Sequence, residues 1–340
     1  QPGSAPFQAL AIERWTTARK LEPPALRSGS PAALHKLRIA IKKFRYLVEN
    51  FLPQYRDAWV ETLKKAQDLL GEIHDLDLLI ETARSICAFE LPDSQERWEA
   101  LIRNERDLRM EHYKKLMLGP DSAWQLWRSG LPRGRQSRVA SLTRLQAWSG
   151  FLDSDVRHTR RVTRFALKLF DGLVNCQVIK GEHARSRELL HAAAVVHEVG
   201  RAEQKNDHHK RTEKMVAGIK HLPGWSRGEV EIIARIARYH RGALPENSVL
   251  RDFPAGRRKT VLLLSGVLRL ANALDADHKG SIRGLTVSCS TESVLIRAQG
   301  FQPQSEIAET IAAARYLLEM TCGRAVIVNP ATANGRLWPG

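Results

Sequence analysis

A chain of 340 residues with 43% hydrophobic content has enough apolar material to build two domains with real cores. Its 53 Lys and Arg against 37 Asp and Glu leave a net charge of +16, so an anionic partner is expected: nucleic acid, polyphosphate or an acidic membrane surface. A membrane span is excluded, because the longest apolar run, Val261 to Leu268, is cut by Arg269 far short of the ~20 residues a bilayer requires.

In chain order, residues 7–20 read as a short helix, and the Pro23–Pro24 pair followed by SGSP up to Pro31 marks a break. Apolar spacing of three and four predicts helices at 32–51, 56–88 and 94–117. Residues 119–138, rich in Gly, Pro and Arg and holding Trp124 and Trp127, read as the connection between domains. Helical spacing resumes at 153–175, 184–199, 207–219, 226–241 and 256–275. Residues 285–290 and 293–298 then alternate around Thr291 and Glu292 as a hairpin does, a helix follows over 305–320, and 325–328 reads as a third strand. The fold class is therefore mainly α. A helical bundle over 1–118 and a linker over 119–150 precede a helical domain over 151–330 that closes in a small α+β subdomain. No charged-then-apolar leader precedes Gln1, and the absent initiator Met suggests a processed chain or an excised fragment. Cys87, Cys176, Cys289 and Cys322 show no CxxC pair and read as buried free thiols of a cytoplasmic protein.

The stretch His35 to Tyr46, HKLRIAIKKFRY, carries the most chemistry. At about 100° per residue, His35, Arg38, Lys42 and Arg45 share one side, and Leu37, Ile41, Phe44 and Val48 another. No acidic residue lies between Glu22 and Glu49, so these cations lack a partner within their own helix. Arg38 and Lys42, four apart, repel by a few tenths of a kcal/mol, roughly, on an isolated helix. A plain solvated face is the alternative, although such faces normally interleave both signs.

His35, Arg38, Lys42, Arg45 and Tyr46, followed by LKKAQDLLGEIHDLDLL from Leu63 to Leu79, resemble the CHAD family, the conserved-histidine α-helical domain, over about residues 30–118. The resemblance implies a helical bundle that binds inorganic polyphosphate on a basic surface. His35, Arg38, Lys42, Lys43, Arg45, Tyr46, Lys64, Lys65 and Lys114 are the expected contacts. That family usually has two copies of a four-helix unit, and one basic helix is found here. Either this is a half-length form, or a second chain, as in a homo-oligomer, or the following domain completes the basic surface. Gly71 fits either a functional role or close helix packing, and Asp68, Asp75 and Asp77 read as partners of basic side chains, since their spacing matches no calcium loop.

In the second half, His158, His197, Glu198, His208, His209 and His240 are spread over several predicted helices. Converging histidines hold metal and activate water for phosphate ester hydrolysis, although each alone is as readily a core or surface residue. DVRHTRRVTRFALKLFDGL, LLHAAAVVHEVGR, DHHKRTEKM, IIARIARYHRG and LLSGVLRLANALD together resemble the C-terminal domain of the exopolyphosphatase and guanosine pentaphosphate phosphatase family, itself similar to the HD phosphohydrolases, over about 151–328. The resemblance implies metal-ligand positions at His158 and His197. It puts Glu198 where the namesake Asp is expected and Asn272 where the last metal-binding Asp is expected, with His240 beside them; Asp275, one turn on, reads either as a substitute ligand or as a packing or capping residue. Two altered positions imply a degraded site for a divalent ion. The resemblance also places phosphate hydrolysis in a different, actin-like domain, of which no phosphate loop is visible here. His208, His209, Lys210, Arg238 and Arg241 then read as polyanion contacts.

Three functions are weighed. The leading one is a non-catalytic polyphosphate-binding protein. Residues 1–150 carry a net +6 and residues 151–340 a net +10, so one long polymer can engage both halves. The alternative is an HD-type phosphohydrolase acting on polyphosphate or a nucleotide. Nucleic-acid binding ranks below both, because aromatics are only 6% and do not interleave with basic residues.

Overall fold

The computed structural model describes residues 3–180, 183–203, 206–245 and 253–331. The protein is mainly α-helical with one small sheet, and it divides into two compact units, residues 1–144 and 145–340. Among the described residues no helix is long and apolar enough to cross a membrane.

The first unit is built on α1 (Ala5–Ser28), α2 (Pro31–Phe51), α3 (Pro53–Ser85) and α4 (Pro92–Met117), each packed against the next. α2 buries Leu34, Leu37, Ile41, Phe44 and Val48, the apolar face read from the sequence, against Leu63, Ala66, Leu70 and Ile73 of α3. Ser30 starts α2 by accepting from the Ala33 amide, and Pro31 occupies its first turn, where the missing N–H costs nothing.

Two expectations are corrected here. Pro23 and Pro24 do not break the chain, because α1 runs through them to Ser28 and ends at Gly29 in the left-handed conformation, φ 58°. Tertiary contacts hold that stretch. Glu22, fully buried, accepts from Trp124 Nε1 at 2.7 Å and Tyr113 Oη at 3.2 Å, and is ion-paired with Arg19. Residues 119–150, read as a linker, instead form α5 (Ala123–Gly130) and α6 (Gly134–Leu152). Trp124 and Trp127 sit in the first unit's core, and Trp127 Nε1 donates to Thr62 at 2.9 Å. Each buried tryptophan removes about 150–250 Å² from water, roughly 4–6 kcal/mol at about 25 cal/mol per Å², which outweighs local Gly and Pro punctuation.

The second unit contains α7 (Val156–Asn175), α8 (His183–Val196), a 3₁₀ turn (Val199–Ala202), α9 (His208–Ala217), α10 (Arg227–Arg238) and α11 (Ala255–Ala273). β1 (Gly284–Cys289), β2 (Ser293–Gln299), α12 (Glu306–Ala314), α13 (Tyr316–Cys322) and β3 (Ala325–Pro330) follow. The sheet order is β1-β2-β3, with β1 antiparallel and β2 parallel to its neighbour. The return from β2 to β3 passes through α12 and α13, as a parallel pair requires. Leu285, Val294, Ile296, Ala298 and Val326 bury one face of the sheet. α11 and α13 touch at Gly266, where a β-carbon would lie 3.0 Å from the Leu318 backbone.

Candidate functional site

Each unit presents one candidate. In the first, Arg38 and Lys42 on α2 form no ion pair among the described residues, and Arg38 Nε is buried with no hydrogen-bond partner. Its guanidinium lies over Gly71 of α3, so that a β-carbon there would stand 3.5 Å from Nε and 3.7 Å from Nη2. The absent side chain at Gly71 thus makes room for an arginine rather than for a helix backbone. Arg45 Nε is 3.4 Å from Glu49 without hydrogen-bond geometry. Lys42 Nζ and Arg45 Cζ lie 5.5 Å and 5.1 Å from the Tyr46 ring centre, and the His35 and His74 rings are 5.0 Å apart across α2 and α3. A buried donor left unpaired costs about 1–3 kcal/mol, which an oxygen-rich anion in this groove would recover.

The surrounding cations separate into two groups. Lys64 and Lys65 are exposed, and Lys43 is exposed on the other flank of α2, lining a depression with Arg14, His35 and Lys36. Lys114 is paired with Glu111 at 2.8 Å. Arg106 is held by Asp77 at 2.6 Å, and Arg84 and Arg103 by Glu99. Asp77 is therefore a partner of a basic side chain, as read from the sequence.

In the second unit, His158, His197 and Glu198 form one tight group and Glu198, His208 and His240 another, all buried, with ligand atoms of each group within 4.8 Å of one another. Local structure sets each one. Asp155 caps α7 by accepting from the His158 amide at 3.0 Å. His197 and Glu198 follow the fully buried end of α8, where Thr212 donates to the His197 carbonyl at 3.1 Å. A β-carbon at Gly200 would come within 2.2 Å of the His208 carbonyl, so α9 packs directly on that turn. Arg269 donates to the Gly242 carbonyl at 2.5 Å and steadies the turn that carries His240.

The tautomers follow from the hydrogen bonds. His197 Nδ1 and His240 Nδ1 each lie 2.7 Å from a carbonyl, of Ala194 and Ala237, so each Nδ1 must donate, leaving Nε2 with a bare lone pair. Both Nε2 atoms, and Glu198 Oε2, are buried without a hydrogen-bond partner. Burial pushes the His197 imidazolium down to about 3, and burial lowers His240 as well, so both rings are neutral. Glu198 Oε1 lies 3.3 Å from both His208 Nε2 and His240 Nε2, and its Oε2 is ion-paired with Arg201 Nη1 at 3.2 Å. Neutral imidazoles fixed by carbonyls and facing a carboxylate are groups that could hold a divalent metal, whose bonds of about 2.0–2.2 Å place ligands about 3–4 Å apart.

Of the two readings of Asp275, ligand or packing residue, its contacts favour a supporting role. Fully buried, it accepts from His158 Nδ1 and from Arg161 Nε, both at 2.7 Å, and so orients the imidazole. Asn272 Oδ1 faces His158 Nε2 at 3.1 Å; a cation between them, or the amide turned so that its NH₂ donates, satisfies both. The expected polyanion contacts separate. His208 and His209 are buried, Lys210 is paired with Asp207 at 2.7 Å, and Arg238 lies 3.5 Å from Glu213. Arg241 alone of that set lines the cavity of about 470 Å³ beside the cluster.

Sequence reasoning missed Arg201, Arg269 and His278, which also line the cavity. His278 stacks on His158 with ring centres 3.9 Å apart and is bonded to Asp155 at 2.8 Å. Arg269 was visible as the single cation cutting a buried apolar run, whereas His278 gave no signal beyond lying one turn after Asp275.

Comparison with protein families matches residues 135–305, half of the chain, to Ppx/GppA phosphatase, domain III, and residues 3–84 to the CHAD domain. The CHAD match takes in α1 and stops within α3, earlier than the motifs had implied. No curated protein matches the chain. The chain belongs to the Ppx/GppA phosphatase domain III family and carries a CHAD domain ahead of that region.

Proposed function

We propose that the protein binds inorganic polyphosphate through the groove between α2 and α3 of its first unit. Both matched domains point to polyphosphate-related metabolism. One observation carries the choice of site: among the described residues Arg38 and Lys42 form no ion pair, and Arg38 Nε is buried with no acceptor. A phosphate chain supplies acceptor oxygens at regular spacing and releases condensed counterions when it binds. Arg38 and Arg45 fork onto phosphate oxygens while Lys42 acts as a point charge. Competition tests the preference: polyphosphate should displace duplex DNA and RNA at equal phosphate concentration, and the reverse result would refute it.

The histidine cluster favours a second reading, a metal-dependent phosphohydrolase centre in the second unit. His158, His197, Glu198, His208 and His240 would hold divalent metal, which when bound supplies Lewis-acid chemistry, acidifying a water and polarising a phosphoryl oxygen. The chain contributes the rest. Asp275 holds the His158 tautomer, and Arg241 and Arg269 line the cavity with no carboxylate partner among the described residues, so they attract phosphoryl oxygens. Metal analysis with phosphate release decides between accessory and enzyme. Stoichiometric metal and liberated phosphate, both lost in His197→Ala, support hydrolysis; metal-free protein that stays inert after loading supports binding alone.

A further inference from the structure

All four cysteines are free, and two of them lie on neighbouring elements. α7 and β1 run side by side in the same direction. Arg161 donates to the His278 carbonyl at 2.8 Å, Arg164 to the Arg283 carbonyl at 3.4 Å, and a β-carbon on Gly172 would stand 2.5 Å from Val287 Cβ. The two elements keep step: residues 164 to 176 advance about 18 Å at a helical rise of 1.5 Å, and residues 283 to 289 about 20 Å at about 3.3 Å per strand residue. Cys176, one turn past Gly172, and Cys289, two residues past Val287 on the same strand face, therefore arrive at one level. Gly172 and Val287 are in contact, so the next facing pair along α7 and β1 is Cys176 and Cys289. Both residues are partly exposed. Arg324 donates to the carbonyl of Ser290, the residue after Cys289, at 2.8 Å.

We propose that Cys176 and Cys289 form a reversible oxidation site that closes to an intramolecular disulfide with a small peroxide as oxidant. Burial pushes the Cys289 thiol up to about 12, so Cys289 keeps its proton while the first attack comes from Cys176. Its sulfur forms an S–O bond as the peroxide O–O bond breaks. The hydroxide released takes up the proton that Cys176 lost and leaves as water, with the sulfur oxidised to a sulfenic acid. The Cys289 sulfur then attacks that sulfur; the S–S bond forms, the S–O bond breaks, and the departing hydroxide takes the Cys289 proton as a second water. Two thiols and one peroxide become one disulfide and two waters, and a dithiol reductant reverses the change.

The folded full chain is treated with hydrogen peroxide, alkylated, digested and mapped by mass spectrometry without reduction. The expected product is a peptide pair joined through Cys176 and Cys289 that dithiothreitol separates. Cys322→Ser should retain that link, while Cys176→Ser should abolish it and leave Cys289 open to alkylation, with circular dichroism checking that each variant is folded. Wild-type protein whose Cys176 and Cys289 both remain alkylatable after peroxide, or a link to Cys322 in place of either, overturns the proposal.

Discussion

The Arg38 guanidinium of α2 rests over Gly71 of α3, with Nε 3.5 Å from where a β-carbon at that glycine would be. That is ordinary contact distance, so Gly71→Ala should leave both fold and ligand binding nearly unchanged. Gly71→Leu fills the space beneath the guanidinium and should lower polyphosphate affinity by about tenfold, which corresponds to ~1.4 kcal/mol. Calorimetry of the two variants checks this, with thermal melts to confirm folding. Equal affinity for wild type and Gly71→Leu would put Arg38 outside the site.

Asp275 Oδ2 holds His158 Nδ1 at 2.7 Å and so fixes the orientation of the ring. Replacing it with Asn preserves its shape but removes the charge that holds Nδ1 protonated. Such a change in a supporting partner should lower divalent-metal affinity by about 10–100-fold. Titration of the metal-stripped protein measures it; undiminished affinity would show that His158 needs no orienting partner.

Glu99 joins α3 to α4 by accepting from Arg84 Nε at 2.7 Å and Gln95 Nε2 at 3.0 Å. The Arg84 hydrogen bonds, then Gln95, hold its carboxyl down to about 2 against an ordinary 4.5. A carboxyl depressed on folding adds stability that is complete above its unfolded value and is lost as pH falls toward the folded value. Melting of the first unit should therefore drop between about pH 4.5 and 2, and Glu99→Gln should flatten the curve over that window. An unaltered pH profile in the variant would assign the acid sensitivity to other groups.

α7 and β1 leave no room at Gly172, where a β-carbon would approach Val287 Cβ to 2.5 Å. Gly172→Ala should destabilise the second unit by about 1–3 kcal/mol, the usual cost of overpacking a filled interior. A shift in denaturant midpoint records it, and no shift would mean that the strand yields freely.

The helices were legible wherever apolar residues recur every three or four positions, as in α2 and α7, and the sheet was legible from alternation around Thr291. Pro23, Pro24 and the Gly-rich stretch near Pro132 misled because local signals carry no information about Glu22, Trp124 and Trp127, which meet only in the folded bundle. The basic helix could be read because its evidence is the absence of local carboxylates, a property of the sequence itself. The histidine cluster was legible as residue types in order. Its geometry was not, since Glu198 lies between His208 and His240 only through the packing of α8, α9 and α10. Asp275 read in sequence either as a ligand or as a packing residue because nothing there shows that His158 and Arg161 already occupy its oxygens.

Calorimetric titration with polyphosphate of defined length over a salt series, for wild type and for Arg38→Glu with Lys42→Glu, bears most directly on the cationic groove. Wild type should bind with an affinity that falls steeply and linearly on logarithmic axes. The folded variant should lose at least about tenfold in affinity and show a shallower salt slope, by about 1.4 for two lost contacts at ~0.7 each. Unchanged affinity and an unchanged slope in a folded variant would contradict polyphosphate binding at α2.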